Sequence, residues 1–463
     1  MKSLSIAFLL IALVLPTVAA SPLESKPDDP YFEKFQPAKA PPPTGLLLKK
    51  GDRLAICGDS ITEQKMYSRL METYLTVCVP ELEITVRQYG WGGDTASGFL
   101  ARMTNDCLRF RPTVATTCYG MNDHGYRPYE DSIGKKYREK STAIVQAFQA
   151  AGARIMQGSP GCVGTKNQKG WDETGVEAKN LNLCTLRNIG IEIAETEKAG
   201  FADVFWPMLK AGFYGRQKYG TNYAIAGKDG VHPGWAGSFV MAYAFLKSFG
   251  LQGEIGTFTV DLKSRRVQLS PGHVLAGVKD GEFIIKSSRY PFCATGVADS
   301  DSSIRSGMTL VPFNQELNRL LLVAKNGSAN SYRVTWGAES KTYSAAQLAQ
   351  GINLANDFAV NPFSEAFKKV DAAVIAKQNY ETKQIKQIFH ELVNGRFSAP
   401  DNRCQPADTV KDEELKRLFK HCQDGKFDRD ALAADTDQTR QPLADAIKAA
   451  FVPVTHTIAI TPE

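Results

Sequence analysis

Two short segments hold the side chains that could pass a proton between a hydroxyl, an imidazole and a carboxylate. In Gly58-Asp59-Ser60-Ile61-Thr62 a serine directly follows an apolar run, and in Asp229-Gly230-Val231-His232-Pro233 an aspartate precedes a histidine by three residues. A serine hydroxyl is a poor nucleophile until a base takes its proton. A carboxylate placed to accept from one ring nitrogen fixes the tautomer of that base and stabilises the imidazolium that forms. The chemistry implied is acyl transfer, with Ser60 as nucleophile, His232 as base and Asp229 as orienting acid. His124, His273, His390, His421 and His456 lack this arrangement.

Acyl transfer also needs donors for an oxyanion. The Ser60 N–H at a helix start is one; Gly92-Gly93-Asp94-Thr95 and Gly120-Met121-Asn122-Asp123 offer the Gly93 N–H and the Asn122 amide as others. Each segment has a plainer reading. Ser60 and Glu63 fit a Ser-x-x-Glu capping box, His232 fits a polar surface turn, and Gly, Asn and Asp are ordinary turn residues. Those readings do not explain why the Ser60, Gly93 and Asn122 segments fall at the C-terminal ends of successive strands, where open α/β sheets place their sites.

The elements that must position these residues read as alternating strands and helices. Strands are expected at Leu54–Cys57, Leu82–Tyr89, Val114–Tyr119, Arg154–Gln157 and Ala202–Phe205. Helices are expected at Glu63–Val77, Ala96–Leu108, Ser132–Ala151, about Ala178–Ala199 and Trp235–Phe249. Such alternation argues for a parallel sheet with helices on both faces.

Gly58-Asp59-Ser60, Gly93 before Asp94-Thr95, Gly120-x-Asn122-Asp123 and Asp229-x-x-His232 together resemble the four ordered blocks of the SGNH (GDSL-type) hydrolases. The resemblance covers about residues 51–250 and implies a flavodoxin-like three-layer α/β/α domain. It implies Ser60 as nucleophile, Ser60, Gly93 and Asn122 as the oxyanion hole, and Asp229 and His232 as the remaining pair. No metal and no organic cofactor are expected, because the zinc, calcium and dinucleotide motifs each lack a required residue. Asp59, Trp91 and His124 are candidate substrate contacts. The resemblance does not reach 251–463.

Residues 1–20 have the build of a Sec signal peptide, with Lys2, an apolar run at Ile6–Leu15 and the end Thr17-Val18-Ala19-Ala20. No cysteine follows at once to take a lipid, so the expectation is a secreted or periplasmic protein without a stable membrane anchor. Residues 21–50 read as a Pro-rich leader or surface strap rather than core. Residues 251–344 carry β-rich runs without helical period, an antiparallel sheet or small sandwich. Residues 345–463 read as mainly helical, with Phe367–Leu392 the longest stretch. The formal charge of +6 is spread thinly without a basic stripe, which argues against nucleic acid as a partner. Of the nine cysteines, Cys57 and Cys118 read as small core residues, and Cys404 and Cys422 as the best pair for a bridge.

Other motifs fail on their own terms. Thr62 stands where an α/β-hydrolase elbow needs a second glycine. Asn394 replaces the second histidine that His390-Glu391 would need for zinc. Ile304 and Leu310 occupy the glycine and glutamate positions of a calcium loop opening at Asp299. Export and a β-rich attachment suggest an extracellular polymer as substrate, and the resemblance implies an acylated carbohydrate, such as a polysaccharide acetyl ester. A lipase of the same mechanism is the second expectation, and a glycan-binding protein on an inactive hydrolase fold the third.

Overall fold

The computed structural model describes residues 22–164, 169–279, 281–392, 397–398, 404–405, 412–423 and 428–463. Five parallel strands form the central sheet: β1 (Arg53–Gly58), β2 (Thr85–Gln88), β3 (Val114–Cys118), β4 (Arg154–Gly158) and β5 (Gly200–Ala202). Their order, β2-β1-β3-β4-β5, is that of a flavodoxin-like doubly wound sheet. The helices are α1 (Ser60–Glu63), α2 (Tyr67–Val77), α3 (Ala96–Asp106), α4 (Asp131–Ala150), α5 (Glu173–Thr196), α6 (Phe205–Tyr219) and α7 (Trp235–Ser248).

Strand residues alternate between two cores, as a side-chain period of two requires. Leu54, Ile56, Val114 and Met156 pack toward α2 and α7. Ala55, Cys57, Ala115 and Ile155 pack toward α3, α4 and the later half of α5. The chain therefore has the three-layer α/β/α architecture expected of it. Two local readings change. The single helix expected over Glu63–Val77 is two, α1 and α2, because Lys65 between them adopts a left-handed backbone with φ 57°. The segment Phe205–Tyr219 is a helix, α6, which aromatic and glycine-rich sequence had hidden.

Beyond α7 lie a two-stranded pair, Phe397–Ser398 with Cys404–Gln405, and two larger sheets. One has the order β13-β10-β6-β7, built from β6 (Glu254–Asp261), β7 (Arg266–Leu269), β10 (Arg319–Lys325) and β13 (Ile352–Asn353). Its β10–β6 pair is parallel, where an antiparallel sheet was expected. The other joins β8 (His273–Lys279), β9 (Glu282–Ser287), β11 (Ser331–Trp336) and β12 (Glu339–Ser344) to a strand at Val454–Pro462. That C-terminal strand lies between β11 and β9, so the end of the chain is not helical but central to this sheet. Its inward positions, His456, Ile458 and Ile460, are buried at every second residue.

A buried polar chain links the sheets. Trp336 Nε1 donates to His456 Nδ1 at 3.1 Å, and His456 Nε2 lies 3.0 Å from Ser287 Oγ. Ser287 Oγ in turn lies 2.7 Å from His273 Nδ1, whose other ring nitrogen lies 3.0 Å from the Ile255 carbonyl oxygen. With both rings neutral, every group in this chain has a partner of the right sense.

The Ser364–Thr382 helix packs on α2 and on edge strand β2, and the Arg429–Ala450 helix packs against it. Lys377 is buried there between Glu72 at 3.0 Å and Glu381 at 2.8 Å, and Arg440 also pairs with Glu381. Burial of an edge strand under helices is one way to block unwanted pairing. A π-helix, Lys383–Leu392, continues the chain over the loop after β2. The 21–50 strap contributes to the core after all, since Phe32 and Phe35 are fully buried against Trp206. Cys57, Cys118 and the other five described cysteines are buried free thiols. Residues 1–20 and the side chains of Cys404 and Cys422 lie outside the described residues. No helix among the described residues is long and apolar enough to cross a membrane.

Candidate active site

Asp59, the residue after β1, is the N-cap of α1, and its Oδ1 accepts from the Ile61 N–H at 2.9 Å. The capping box read from Ser60 and Glu63 is therefore not formed. Ser60 begins the helix instead and turns its hydroxyl to the loop before α7. His232 Nε2 lies 2.8 Å from Ser60 Oγ, and His232 Nδ1 lies 2.6 Å from Asp229 Oδ2. Asp229 Oδ1 accepts from the backbone N–H groups of Val231 and His232, both at 2.9 Å. Partial burial would raise the Asp229 pKa, but these bonds from His232 and Val231 outweigh it and hold the carboxyl below its ordinary value. Asp229 is thus an acceptor that stays ionised, which fixes Nδ1 as the protonated ring nitrogen and leaves Nε2 to accept from Ser60.

The loop holding this pair closes on itself tightly. Gly227 has φ 79°, and a Cβ there would stand 1.8 Å from the His232 carbonyl oxygen. No residue with a side chain fits the turn.

The proposed oxyanion donors follow three neighbouring strands, Ser60 after β1, Gly93 after β2 and Asn122 after β3. Asn122 follows β3; its Nδ2 donates to the Asp94 carbonyl at 2.8 Å, and its Oδ1 accepts from Tyr126 at 3.1 Å. One amide hydrogen remains for a ligand. Gly93 follows β2 in a left-handed turn, φ 75°, with nothing within 4 Å of where its Cβ would lie. Trp91 N–H donates to the Gly58 carbonyl at 3.1 Å, which ties this turn to the start of the Ser60 segment. Asp123 accepts from the Gly120 and Ala96 N–H groups, and burial raises its pKa to about 6.

The three candidate substrate contacts take other places. Asp59 is buried at 1% exposure, with Oδ2 lacking a partner among the described residues; burial, with Asp123 and Asp94 nearby, raises its pKa to about 7. His124 is fully buried, donates from Nδ1 to the Met121 carbonyl and packs on Tyr126; burial lowers its pKa to about 4. Trp91 packs among Arg102, Lys386 and His390. None of the three lines the open depression of about 520 Å³ at Ser60, whose walls are Ser60, Glu63, Gln64, Lys65, Asp229 and His232. A larger cavity, about 940 Å³, lies between β2 and the Arg429–Ala450 helix and includes none of these residues.

Gln64 and Lys65 were not singled out by the sequence, and Glu63 was read only as a cap residue. Lys65 is the telling one: a lysine with φ 57° is a strained conformation of the kind that gathers at functional sites. Its ammonium donates to the Glu63 carbonyl at 2.7 Å, and burial, with Lys386 close by, lowers its pKa. His390, read as half of a zinc motif, instead places Nε2 2.8 Å from both oxygens of Asp106.

Among solved structures, the chain is similar to a gut microbial diltiazem-metabolizing enzyme, at 23% identity and a TM-score of 0.69, over 91% of this chain and 100% of that one. That likeness bears on the fold. Two shorter proteins align over 44% of this chain: an acetylxylan esterase from Geobacillus stearothermophilus (21% identity, 97% of that chain, TM-score 0.36) and an α/β hydrolase from the metagenome of Lake Arreo, Spain (20%, 98%, 0.36). No curated protein matches the sequence. Residues 56–238 match the GDSL-like lipase/acylhydrolase family, a span that contains Ser60, Gly93, Asn122, Asp229 and His232. The chain therefore carries a GDSL-like hydrolase domain.

Proposed function

We propose that the protein hydrolyses carboxylic esters by a serine mechanism. Ser60 Oγ attacks the carbonyl as His232 Nε2 takes its proton; the same nitrogen then returns that proton to the leaving alcohol. Water, deprotonated by His232, releases the acyl group from Ser60. Asp229 holds the ring throughout. The Ser60 N–H, the Gly93 N–H and the Asn122 amide receive the oxyanion. The observation that carries this reading is the unbroken hydrogen-bonded line Asp229–His232–Ser60, with contacts of 2.6 and 2.8 Å.

The substrate we propose is a short acyl ester of a carbohydrate, reached outside the cytoplasm after removal of residues 1–20. The support is the character of the depression: open, and walled by Glu63, Gln64, Lys65 and the polar trio itself. A long acyl chain would need an apolar groove at Ser60, and the polar wall disfavours a lipid. The experiment is hydrolysis of nitrophenyl acetate and nitrophenyl decanoate by the mature protein and by Ser60→Ala. The reading expects acetate hydrolysis that vanishes with Ser60. A strong decanoate preference would move the substrate to a lipid, and a Ser60→Ala variant as active as the parent would end the serine mechanism.

A further inference from the structure

Gly92 and Gly93 have no side chains with which to hold their own position, yet the proposed mechanism asks the Gly93 N–H to stand ready beside Ser60. Gly92 N–H donates to Glu63 Oε2. Glu63 is the last residue of α1, the single helical turn that begins with Ser60. Its other oxygen, Oε1, receives Lys386 Nζ at 2.7 Å, from the π-helix more than 300 residues later in the chain. One carboxylate thus joins the nucleophile's turn to the glycine turn, and one lysine holds that carboxylate.

We infer that Lys386 is a positioning residue of the ester-hydrolysing site, acting through Glu63 to fix the Gly92–Gly93 turn; this rests on the serine-esterase reading above. The surroundings favour a clamp over a casual surface pair. Lys386 and Glu63 are only 30% and 22% exposed. Lys386 also lies 5.5 Å from the centre of the Trp91 ring, and the Arg102 guanidinium lies 5.1 Å from the same ring. His390, one turn along, meets the edge of that ring at 4.8 Å and anchors the π-helix to Asp106 on α3. Lys65, held by the Glu63 carbonyl, reaches Thr382 Oγ1 at 3.5 Å, so the same end of α1 touches the C-terminal region twice. Without the lysine, a half-buried Glu63 carboxylate would gain more from water than from one glycine N–H, and it would release the turn.

The test uses the full chain with Lys386→Met, Lys386→Arg and Glu63→Gln. Two readouts are taken: nitrophenyl acetate kinetics, and hydrogen exchange of the peptide covering residues 90–95. The clamp expects Lys386→Met to lower kcat by about 10- to 100-fold, the range seen when a reacting geometry loosens by an ångström. KM should change by less than about twofold, Lys386→Arg should recover most of the rate, and exchange at 90–95 should quicken. Glu63→Gln should behave like Lys386→Met, which keeps the test valid if the latter does not fold. Unchanged exchange at 90–95 in a folded Lys386→Met protein overturns the inference, as does a loss carried by KM alone, which would make Lys386 a substrate contact. If hydrolysis proves independent of Ser60, the esterase reading fails, while the exchange data still decide whether Lys386 orders the glycine turn.

Discussion

Replacing Asn122 by alanine is the sharpest probe of the proposed oxyanion hole, because the structure separates two contributions of this side chain. One amide hydrogen is committed to the Asp94 carbonyl at 2.8 Å, and the amide oxygen accepts from Tyr126 at 3.1 Å. Those two bonds fix the plane of the amide and aim the second hydrogen. Loss of one oxyanion donor typically costs about 3–4 kcal/mol of barrier, or roughly 100–1,000-fold in kcat. Asn122→Ala should show that loss on nitrophenyl acetate with KM little changed, since the bond is made mainly in the transition state. The two anchoring bonds contribute to folding rather than chemistry, so the same variant should lose about 1–2 kcal/mol in urea unfolding. Tyr126→Phe isolates the anchor: the donor stays but is aimed less firmly, and kcat should fall by no more than about tenfold. An Asn122→Ala enzyme within about threefold of the parent kcat, with Ser60→Ala inactive, would refute the assignment. So would a Tyr126→Phe variant as impaired as Asn122→Ala, which would make Tyr126 the donor.

Two further predictions concern pH. Burial raises the Asp59 pKa to about 7, above its ordinary 3.8, so the folded state binds the proton more tightly than the unfolded one. Stability is then lost as pH rises from about 4 through 7, at about 1.4 kcal/mol per unit of difference. Asn at position 59 keeps the oxygen that caps Ile61 and carries no charge. Asp59→Asn should therefore raise urea stability at pH 8 by on the order of 3 kcal/mol and do nothing comparable at pH 4; equal effects at both values would contradict this. In the β-rich region the sign is opposite. Burial, with His273 close by, lowers the His456 pKa from 6.5 to about 3, and burial lowers that of His273 too, with Arg289 also near. Protonating either ring adds a donor to a chain that has no acceptor left, the rest of the His456 surroundings being Trp336, Phe258 and Phe363. Stability should be complete above pH 6.5 and fall by about 1.4 kcal/mol per unit below it. Unfolding followed by near-ultraviolet circular dichroism would show a flat profile between pH 7 and 4 if the histidines were not responsible.

What could be read from the sequence was local. Asp229 and His232 are three residues apart, and one turn brings both to Ser60. The strands announced themselves because their apolar runs are buried on both faces, as Leu54 to Cys57 are. The readings that changed depend on partners far along the chain. Glu63 looked like half of a capping box, a local pattern, but its partners are Gly92 and Lys386. His390 looked like half of a metal motif, but a carboxylate 284 positions away claims it. His124 and Trp91 were chosen for nearness to Asn122 and Gly92, and nearness in sequence does not say which way a ring turns. The C-terminal strand had a visible signal, the alternation of His456, Ile458 and Ile460, but nothing local said that Ile458 would pair with Trp336.

The match to the hydrolase family ends at residue 238, while Thr382 and Lys386 bond Lys65 and Glu63 of the wall around Ser60, and His390 bonds Asp106. This division has a physical logic. The parallel sheet fixes strand ends, strand ends place Ser60 and Asn122, and the loop between α6 and α7 carries Asp229 and His232, so every proposed reacting group lies before residue 250. The rim is different: α1 is one turn long, Lys65 breaks it from α2 in a strained conformation, and the Gly92–Gly93 turn has no side chains of its own. Such segments are held only by what packs on them. The C-terminal region reaches them from a rigid base, because its Ser364–Thr382 helix is pinned to α2 through buried Lys377 and Glu72. Breaking a buried pair of that kind by removing one partner costs about 3–5 kcal/mol. The π-helix that follows therefore approaches the glycine turn from a fixed origin. In the proposed mechanism the domain common to the family carries the reacting groups, and Lys386, beyond it, holds the glycine turn through Glu63.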